Sequence, residues 1–271
     1  MNEFEKNFYK LLINAIYGKT MENVRARSDI RLKTKWNGRY GARKLVALPN
    51  FKKYSIFSDD LVAIHMNRTT VVMDKPIAIG MSILEISKVL MYDFFYNHLR
   101  KQYGENVELM YTDTDSFIID VNTDDYYADM KKNLKNYDTS DFPENNQFNI
   151  PRANKKIPGL FKDELNGEII TEFVGLRSKM YCVRSNGIEK MKKAKGVKKY
   201  VLNKKITFKD YVNCITKNCS VVRKQNMFRT KKHVVFSVTQ SKVVLSPMDN
   251  KRYILENNVN TLPWGHYNIP M

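Results

Sequence analysis

The chain has 271 residues, 43% of them hydrophobic and 12% aromatic, with 46 Lys and Arg against 28 Asp and Glu, a formal charge of +18. That apolar content excludes a disordered chain and allows a substantial core in one large domain or two small ones. The excess of cations points to a polyanionic partner, nucleic acid first, because clustered Lys and Arg bind phosphates by releasing counterions.

A helix is predicted over Phe4–Glu22, where Phe4, Phe8, Leu11, Leu12 and Ala15 recur on one apolar face. Lys10, Asn14 and Tyr17 fall on the opposite side, so a cation, an amide and a phenol form one stripe suited to a nucleotide, or equally a solvated face. From Arg25 to Lys75 the pattern is strand and loop, with β-leaning runs at Val46–Leu48, Tyr54–Phe57, Leu61–Ile64 and Thr69–Met73. This interval is basic, with Trp36 and Tyr40 interleaved, as in a surface that stacks on nucleic acid or a solvated strand face. Pro76–Tyr103 is the longest predicted helix, with Ile83, Ile86, Leu90 and Phe94 at helical spacing and Gly104 after its end.

That helix leads into Tyr111-Thr-Asp-Thr-Asp-Ser116, set between the apolar runs Val107, Leu109, Met110 and Phe117, Ile118, Ile119. The pattern predicts strand, tight turn, strand, with Asp113 and Asp115 side by side at the tip. Two such carboxylates repel unless a cation neutralises them, and Mg²⁺ takes carboxylate oxygens in this way. Taken alone, the spacing also fits a polar hairpin loop. Between Asp120 and Glu144 the charge turns acidic, which reads as a solvent-facing loop with a short helix at Tyr126–Leu134. Two strands joined by the Asn166-Gly167 turn are predicted within Ile157–Val183. There Lys179 and Tyr181 share a face by strand spacing, a pair able to hold a nucleic-acid backbone. A lysine run from Lys190 to Lys205, Lys195 among them, offers sequence-independent phosphate contact. A short helix and strands at Val234–Val238 and Lys242–Leu245 follow, then an extended tail over Thr261–Tyr267. Cys182, Cys214 and Cys219 fit free thiols in a reducing compartment. The four histidines are scattered, and no apolar run is long enough to span a bilayer, so no membrane partner is expected.

The residues Tyr111-Thr-Asp-Thr-Asp-Ser116 resemble motif C of the family B DNA polymerases, and Lys10-Leu-Leu-Ile-Asn14-Ala-Ile-Tyr17-Gly18 is similar to their motif B, with Ala15 where serine is usual. Lys179-x-Tyr181 is similar to the Lys-x-Tyr element that steadies the primer terminus, and the order of the three is the family's. The lysine-rich passage before Ile206 looks like the palm-to-thumb passage of the protein-primed viral and transposon branch, Polinton-like elements included. The resemblance implies an α+β polymerase palm, a mixed or antiparallel sheet backed by helices, with a remnant fingers helix and a small C-terminal thumb. It divides the chain into 1–24 (fingers helix), 25–183 (palm) and 184–271 (palm-to-thumb passage, thumb and tail). It implies template-directed deoxynucleotide addition with two Mg²⁺, or Mn²⁺ in their place, held by Asp115 chiefly and Asp113. Lys10, Asn14 and Tyr17 would face the incoming deoxynucleoside triphosphate, while Lys179, Tyr181 and Lys195 would contact primer-template DNA. Motif A, whose carboxylate completes the metal site, has no counterpart in the sequence. The expectation is therefore a C-terminal portion, incomplete without an upstream part, with a priming protein as a further partner and an intracellular location, in the nucleus or at a site of viral replication. A non-catalytic DNA-binding relic of a mobile element or virus, and another Mg²⁺-dependent nucleotidyl transferase, stay open at this level.

Overall fold

In the computed structural model, which describes residues 2–231, 233–248, 252–256 and 261–269, the chain is α+β with several separate antiparallel sheets. It divides into two compact units, one up to Tyr92 and one from Asp93. This division falls inside the expected 25–183 segment, and a sheet of the second unit straddles the expected boundary at 183/184. Residues 232, 249–251, 257–260 and 270–271 of the expected thumb and tail lie outside the described residues.

In the first unit, helix α1 (Glu3–Thr20) starts from a capping box in which the Asn2 side chain and Glu5 satisfy each other's backbone N–H groups. Its predicted apolar face is present but covers no core, since no residue of α1 is buried. Strands β1 (Asp29–Lys33), β2 (Phe51–Ser58) and β3 (Leu61–Met66) form a sheet in the order β1-β3-β2, with β3 central. Strands β2 and β3 contain the predicted runs Tyr54–Phe57 and Leu61–Ile64 and are joined by the Asp59-Asp60 turn, whereas β1 has no counterpart among the predicted runs. Val46–Leu48, expected as strand, instead follows or closes the short helix α2 (Ala42–Val46). The reason is burial: Ala42 and Leu45 cover Val62, Ile64 and Met66 of the central strand, which only a helical turn allows at that spacing. Thr69–Met73 forms no strand. Helix α3 (Ile77–Tyr92) meets α1 at Gly80, where an added Cβ would lie 2.2 Å from Met21 Cγ.

In the second unit, a π-helical stretch, Asp93–Leu99, and helix α4 (Arg100–Tyr103) complete the helical run predicted over 76–103, ended by Gly104 at φ +59°. Phe95 and Leu99 from this run pack with Val107 beneath the hairpin of β4 (Val107–Thr112) and β5 (Phe117–Val121). Helix α5 (Tyr126–Lys132) is capped by the Asp125 carboxylate. The acidic stretch after it is structural: Asp138 accepts from the Ser140 and Lys156 amides, Asp141 pairs with Lys162, and Glu144 with Arg152.

The Asn166-Gly167 turn exists, with φ +51° and +96°, but joins no strands. Asp163 captures the amides of Leu165 and Gly167, while Phe161 bonds to the backbone of Asn136 and Asp138, so the local carboxylate outcompetes strand pairing. The sheet lies later in the chain, in β6 (Glu172–Arg177), β7 (Met180–Ser185) and β8 (Ile188–Ala194), with β7 central. Its buried Val174, Met180, Cys182 and Ala194 share one core with helices α6 (Lys199–Lys205) and α7 (Phe208–Thr216). The long hairpin β9 (Val221–Lys231) and β10 (Val234–Leu245) joins that core only through Val244 and Leu245 among its buried residues, and the two predicted strands at 234–245 are one. The predicted tail contains β12 (Thr261–Pro263), paired antiparallel with β11 (Arg252–Ile254). Among the described residues, no helix is long and apolar enough to cross a membrane.

Candidate metal and DNA-binding site

Residues 113–116 form the tip of the β4–β5 hairpin. The Ser116 carbonyl accepts from the Asp113 amide at 3.2 Å, and the Asp113 carbonyl accepts from the Asp115 amide at 2.7 Å across a single residue, Thr114. Here the i to i+2 closure is made with Thr114 at φ +61°, a left-handed conformation that a β-branched side chain rarely adopts. The sequence offers no glycine there, so the turn is held by its surroundings rather than by local preference. The two acids differ in setting: Asp113 is half-buried, whereas Asp115 is exposed and its carboxylate has no hydrogen bond or ion pair among the described residues.

The neutralising cation is Lys179. Its ammonium lies 2.8 Å from Asp113 Oδ2, and its backbone N–H donates to the Tyr111 hydroxyl, also at 2.8 Å. The Asp113 carboxylate, first through its hydrogen bond and then through its charge, holds the Lys179 ammonium above its ordinary pKa. Lys179 does not sit in a strand with Tyr181, as its spacing predicted. It occupies the β6–β7 turn at φ +58°, a second left-handed residue without glycine, and β7 begins one residue later. Tyr181 is buried in β7, its ring 4.6 Å from that of Tyr111 and its hydroxyl donating to Met191 Sδ. Phe173 completes an aromatic trio with these two, and its ring lies over Gly175, where a Cβ would come within 2.9 Å. Burial, then the neighbouring Tyr111 and Asp113, pushes the Tyr181 phenol up. Tyr181 therefore braces the site and offers no exposed face. Lys195, directly after β8, donates its backbone N–H to the Lys179 carbonyl at 3.0 Å and leaves its ammonium in solvent.

The structure thus gathers Asp113, Asp115, Lys179, Tyr181 and Lys195 at adjoining hairpin ends. Lys10, Asn14 and Tyr17 are on α1, in the other unit. Lys10 and Asn14 are exposed and make no side-chain hydrogen bond or ion pair among the described residues, whereas the Tyr17 hydroxyl is held by the Gly80 carbonyl at 3.2 Å. The sequence pattern assigns no separate role to the Tyr111 hydroxyl or to Phe173. Only Gly175, two residues after Phe173 and so on the same face of β6, hints at the second.

Asp113 and Asp115 are hard oxygen donors of the kind Mg²⁺ and Mn²⁺ prefer. Among the described residues, no group of three or more His, Cys, Asp or Glu is placed to hold a metal ion. The pair fits such an ion as two donors of a site completed by phosphate, water or a further carboxylate. Compared with known proteins, the chain matches no family model, no curated protein and no solved structure.

Proposed function

We propose that this chain is the C-terminal portion of a family B DNA polymerase of the protein-primed kind, supplying the motif C carboxylates and the primer-holding lysine. The observation that carries the reading is the meeting of two resemblances that lie 66 residues apart: Asp113 of the motif C stretch and Lys179 of the Lys-x-Tyr element are in ion-pair contact, braced by Tyr111 and Tyr181. Asp115, with Asp113 beside it, would hold the divalent ions. When bound, these ions lower the pKa of a primer 3′ hydroxyl and offset charge on the attacked phosphate.

The chain's own residues bind and orient. Lys179 sits where an ammonium neutralises either a carboxylate or a phosphodiester, and Lys195 beside it extends that charge along a backbone. The exposed Lys10 and Asn14 provide a cation and an amide for a triphosphate, with Tyr17 anchored behind them. In this reading a carboxylate from motif A, on a stretch beyond these residues, completes the site, and primer-template DNA and deoxynucleoside triphosphates are the substrates.

The test is Mg²⁺- or Mn²⁺-dependent primer extension by this chain alone and mixed with a fragment carrying motif A, with Asp115→Ala as control. Extension in the mixture that Asp115→Ala abolishes is the expected result; extension that survives the substitution, or none in the mixture, overturns the reading. A second reading, a DNA-binding relic without catalysis, is favoured by the neutralisation of Asp113 by Lys179 and by the lack of a third carboxylate among the described residues. Its signature is salt-sensitive DNA binding without extension.

A further inference from the structure

Between Ile30 and Ser58 the sequence holds eight Lys and Arg and no Asp or Glu. The fold gathers part of that charge around a cavity. Arg31 and Lys33 of β1 lie opposite Ile64 and Val62 of β3, which lie opposite Tyr54 and Ile56 of β2, so these side chains share one face of the sheet. The segment after Lys33 crosses that face on its way to α2. Its path is fixed by two glycines: Gly38 at φ +91°, and Gly41, where a Cβ would lie 2.5 Å from the carbonyl oxygens of Trp36 and Asn37. The amides of Ala42 and Arg43 then close the loop on the carbonyls of Lys35 and Trp36, each at 3.0 Å.

The result is a surface cavity of about 400 Å³ lined by Leu32 through Gly41 apart from Trp36, within the ~300–1,000 Å³ range of small-ligand sites. Lys33, Lys35 and Arg39 line it, and none has an acidic partner among the described residues; the nearest ion pair, Arg31 with Asp29, lies outside it. Beside the cavity, Trp36 packs edge-on against Tyr54 with ring centroids 5.8 Å apart, and Tyr54 stacks on Phe51. Trp36 is 47% exposed, Tyr54 48% and Tyr40 76%. Cations without acidic partners around a concavity, Arg39 lying over the Tyr40 ring at 5.6 Å, with half-open rings at its rim, match what a single nucleic-acid strand needs: charge for its phosphates and flat faces for its bases.

We infer that this loop and the Trp36–Tyr54 edge bind single-stranded nucleic acid, with the backbone against Lys33, Lys35 and Arg39 and a base stacked on Trp36 or Tyr54. The site is carried by the first unit alone and does not depend on the polymerase reading. Duplex docking is disfavoured, because paired bases present no free face to the rings.

The chain has two tryptophans, so Trp264→Phe leaves Trp36 as the single reporter. Titration of that protein with a short oligothymidylate is expected to quench Trp36 emission. Trp36→Ala with Tyr54→Ala should weaken binding of the fluorescein-labelled oligonucleotide roughly tenfold or more, while Trp36→Phe retains most of it. Lys33→Gln, Lys35→Gln and Arg39→Gln together should lower the slope of log affinity against log salt by roughly 2, at about 0.7 for each phosphate contact on a single strand. The Trp36 quench reports this site and Mg²⁺-dependent primer extension reports the other, so failure of the polymerase reading and failure of this one are separable. Circular dichroism checks that the variants, all at exposed or half-exposed side chains, stay folded. Oligonucleotide binding without Trp36 quenching, equal affinity in the aromatic double variant, equal or tighter binding of duplex, or no binding except by a protein partner would each overturn the inference.

Discussion

Replacing Thr114 by glycine should make the β4–β5 hairpin more stable and its carboxylates less well held. At φ +61° the threonine Cβ crowds the following carbonyl, a cost of about 1–2 kcal/mol for a residue other than glycine, and branching at Cβ adds to it. Glycine removes that crowding but makes the unfolded chain freer by about 0.5–1 kcal/mol. The hydrogen bond that goes with the side chain, Thr114 Oγ1 donating to Asp113 Oδ1 at 3.5 Å in solvent, contributes little. The balance is a stabilisation of about 0.5–1 kcal/mol. Because the chain has two compact units, global melting need not be two-state, and the measurement belongs to the hairpin itself. Native-state hydrogen exchange of the Asp113 and Asp115 amides, both bonded within the turn, should slow by roughly two- to fivefold, the rate equivalent of that stabilisation. Thr114→Asn should behave similarly, since asparagine tolerates the left-handed region, and Thr114→Val should show no such slowing. Faster exchange in Thr114→Gly, or equal exchange in the glycine and valine variants, would refute the claim that strain is stored at this residue. If that strain also fixes the two carboxylates relative to one another, the glycine variant should bind Mn²⁺ more weakly despite its firmer hairpin.

The fully buried Tyr211 donates its hydroxyl to the Lys193 carbonyl at 2.8 Å, so Tyr211→Phe should cost about 1 kcal/mol in urea denaturation of the second unit. Glu22 is held down to about 2 by hydrogen bonds from Arg27 and then Lys19, with Arg27 also gripping Asp74. A depressed carboxylate stabilises the folded state above its unfolded pKa, so exchange protection at the end of α1 should be intact above pH 4.5 and lost as pH falls towards 2. Burial pushes the Cys182 thiol up to about 11 and raises that of Cys214, while Cys219 is exposed. A thiol reagent at neutral pH should therefore label one cysteine per native chain quickly and all three only on unfolding.

Much of the fold is legible in the sequence, and what is not has a physical cause. Helical periodicity locates α1, and the 76–103 run with its terminal glycine locates α3 and its continuation, because spacing and stop signals are local. The hairpin at 113–116 is legible for the same reason. The Asn166-Gly167 turn misleads because its dihedrals are right but a competing requirement, the satisfaction of the Leu165 and Gly167 amides by Asp163, decides what the turn joins. Placing Lys179 in a strand fails because nothing marks a lysine at φ +58°; the Tyr111 hydroxyl, the Asp113 carboxylate and the Lys195 amide, all distant in sequence, hold it there. Nor does periodicity reveal whether an apolar face is covered. Phe4, Leu11, Ile13 and Ile16 of α1 and Ile83, Ile86 and Val89 of α3 carry helical patterns yet stay exposed.

The ion pair between Lys179 and Asp113 makes a prediction that separates two roles for the lysine. A carboxylate beside Asp115 repels it, and Lys179 relieves that repulsion; a divalent ion bridging the two acids would do the same and would compete with the ammonium for the Asp113 carboxylate. If Lys179 is a resident competitor that turns to a phosphate once the ion binds, Lys179→Gln should bind Mn²⁺ more tightly than the native chain and primer-template DNA less tightly. If it merely anchors the turn, the loosened hairpin should bind both more weakly. Lys179→Gln retains the backbone bond to Tyr111, so any loosening comes from the lost contact with Asp113 alone. The raised pKa of Lys179 keeps it charged throughout the neutral range, so competition should be the same at pH 6 and pH 8 and disappear only as pH climbs through that raised value. Tighter Mn²⁺ binding in the variant at both pH values, measured by the paramagnetic relaxation of water protons, would establish the exchange of ammonium for metal at Asp113; weaker or unchanged binding would reduce Lys179 to an anchor.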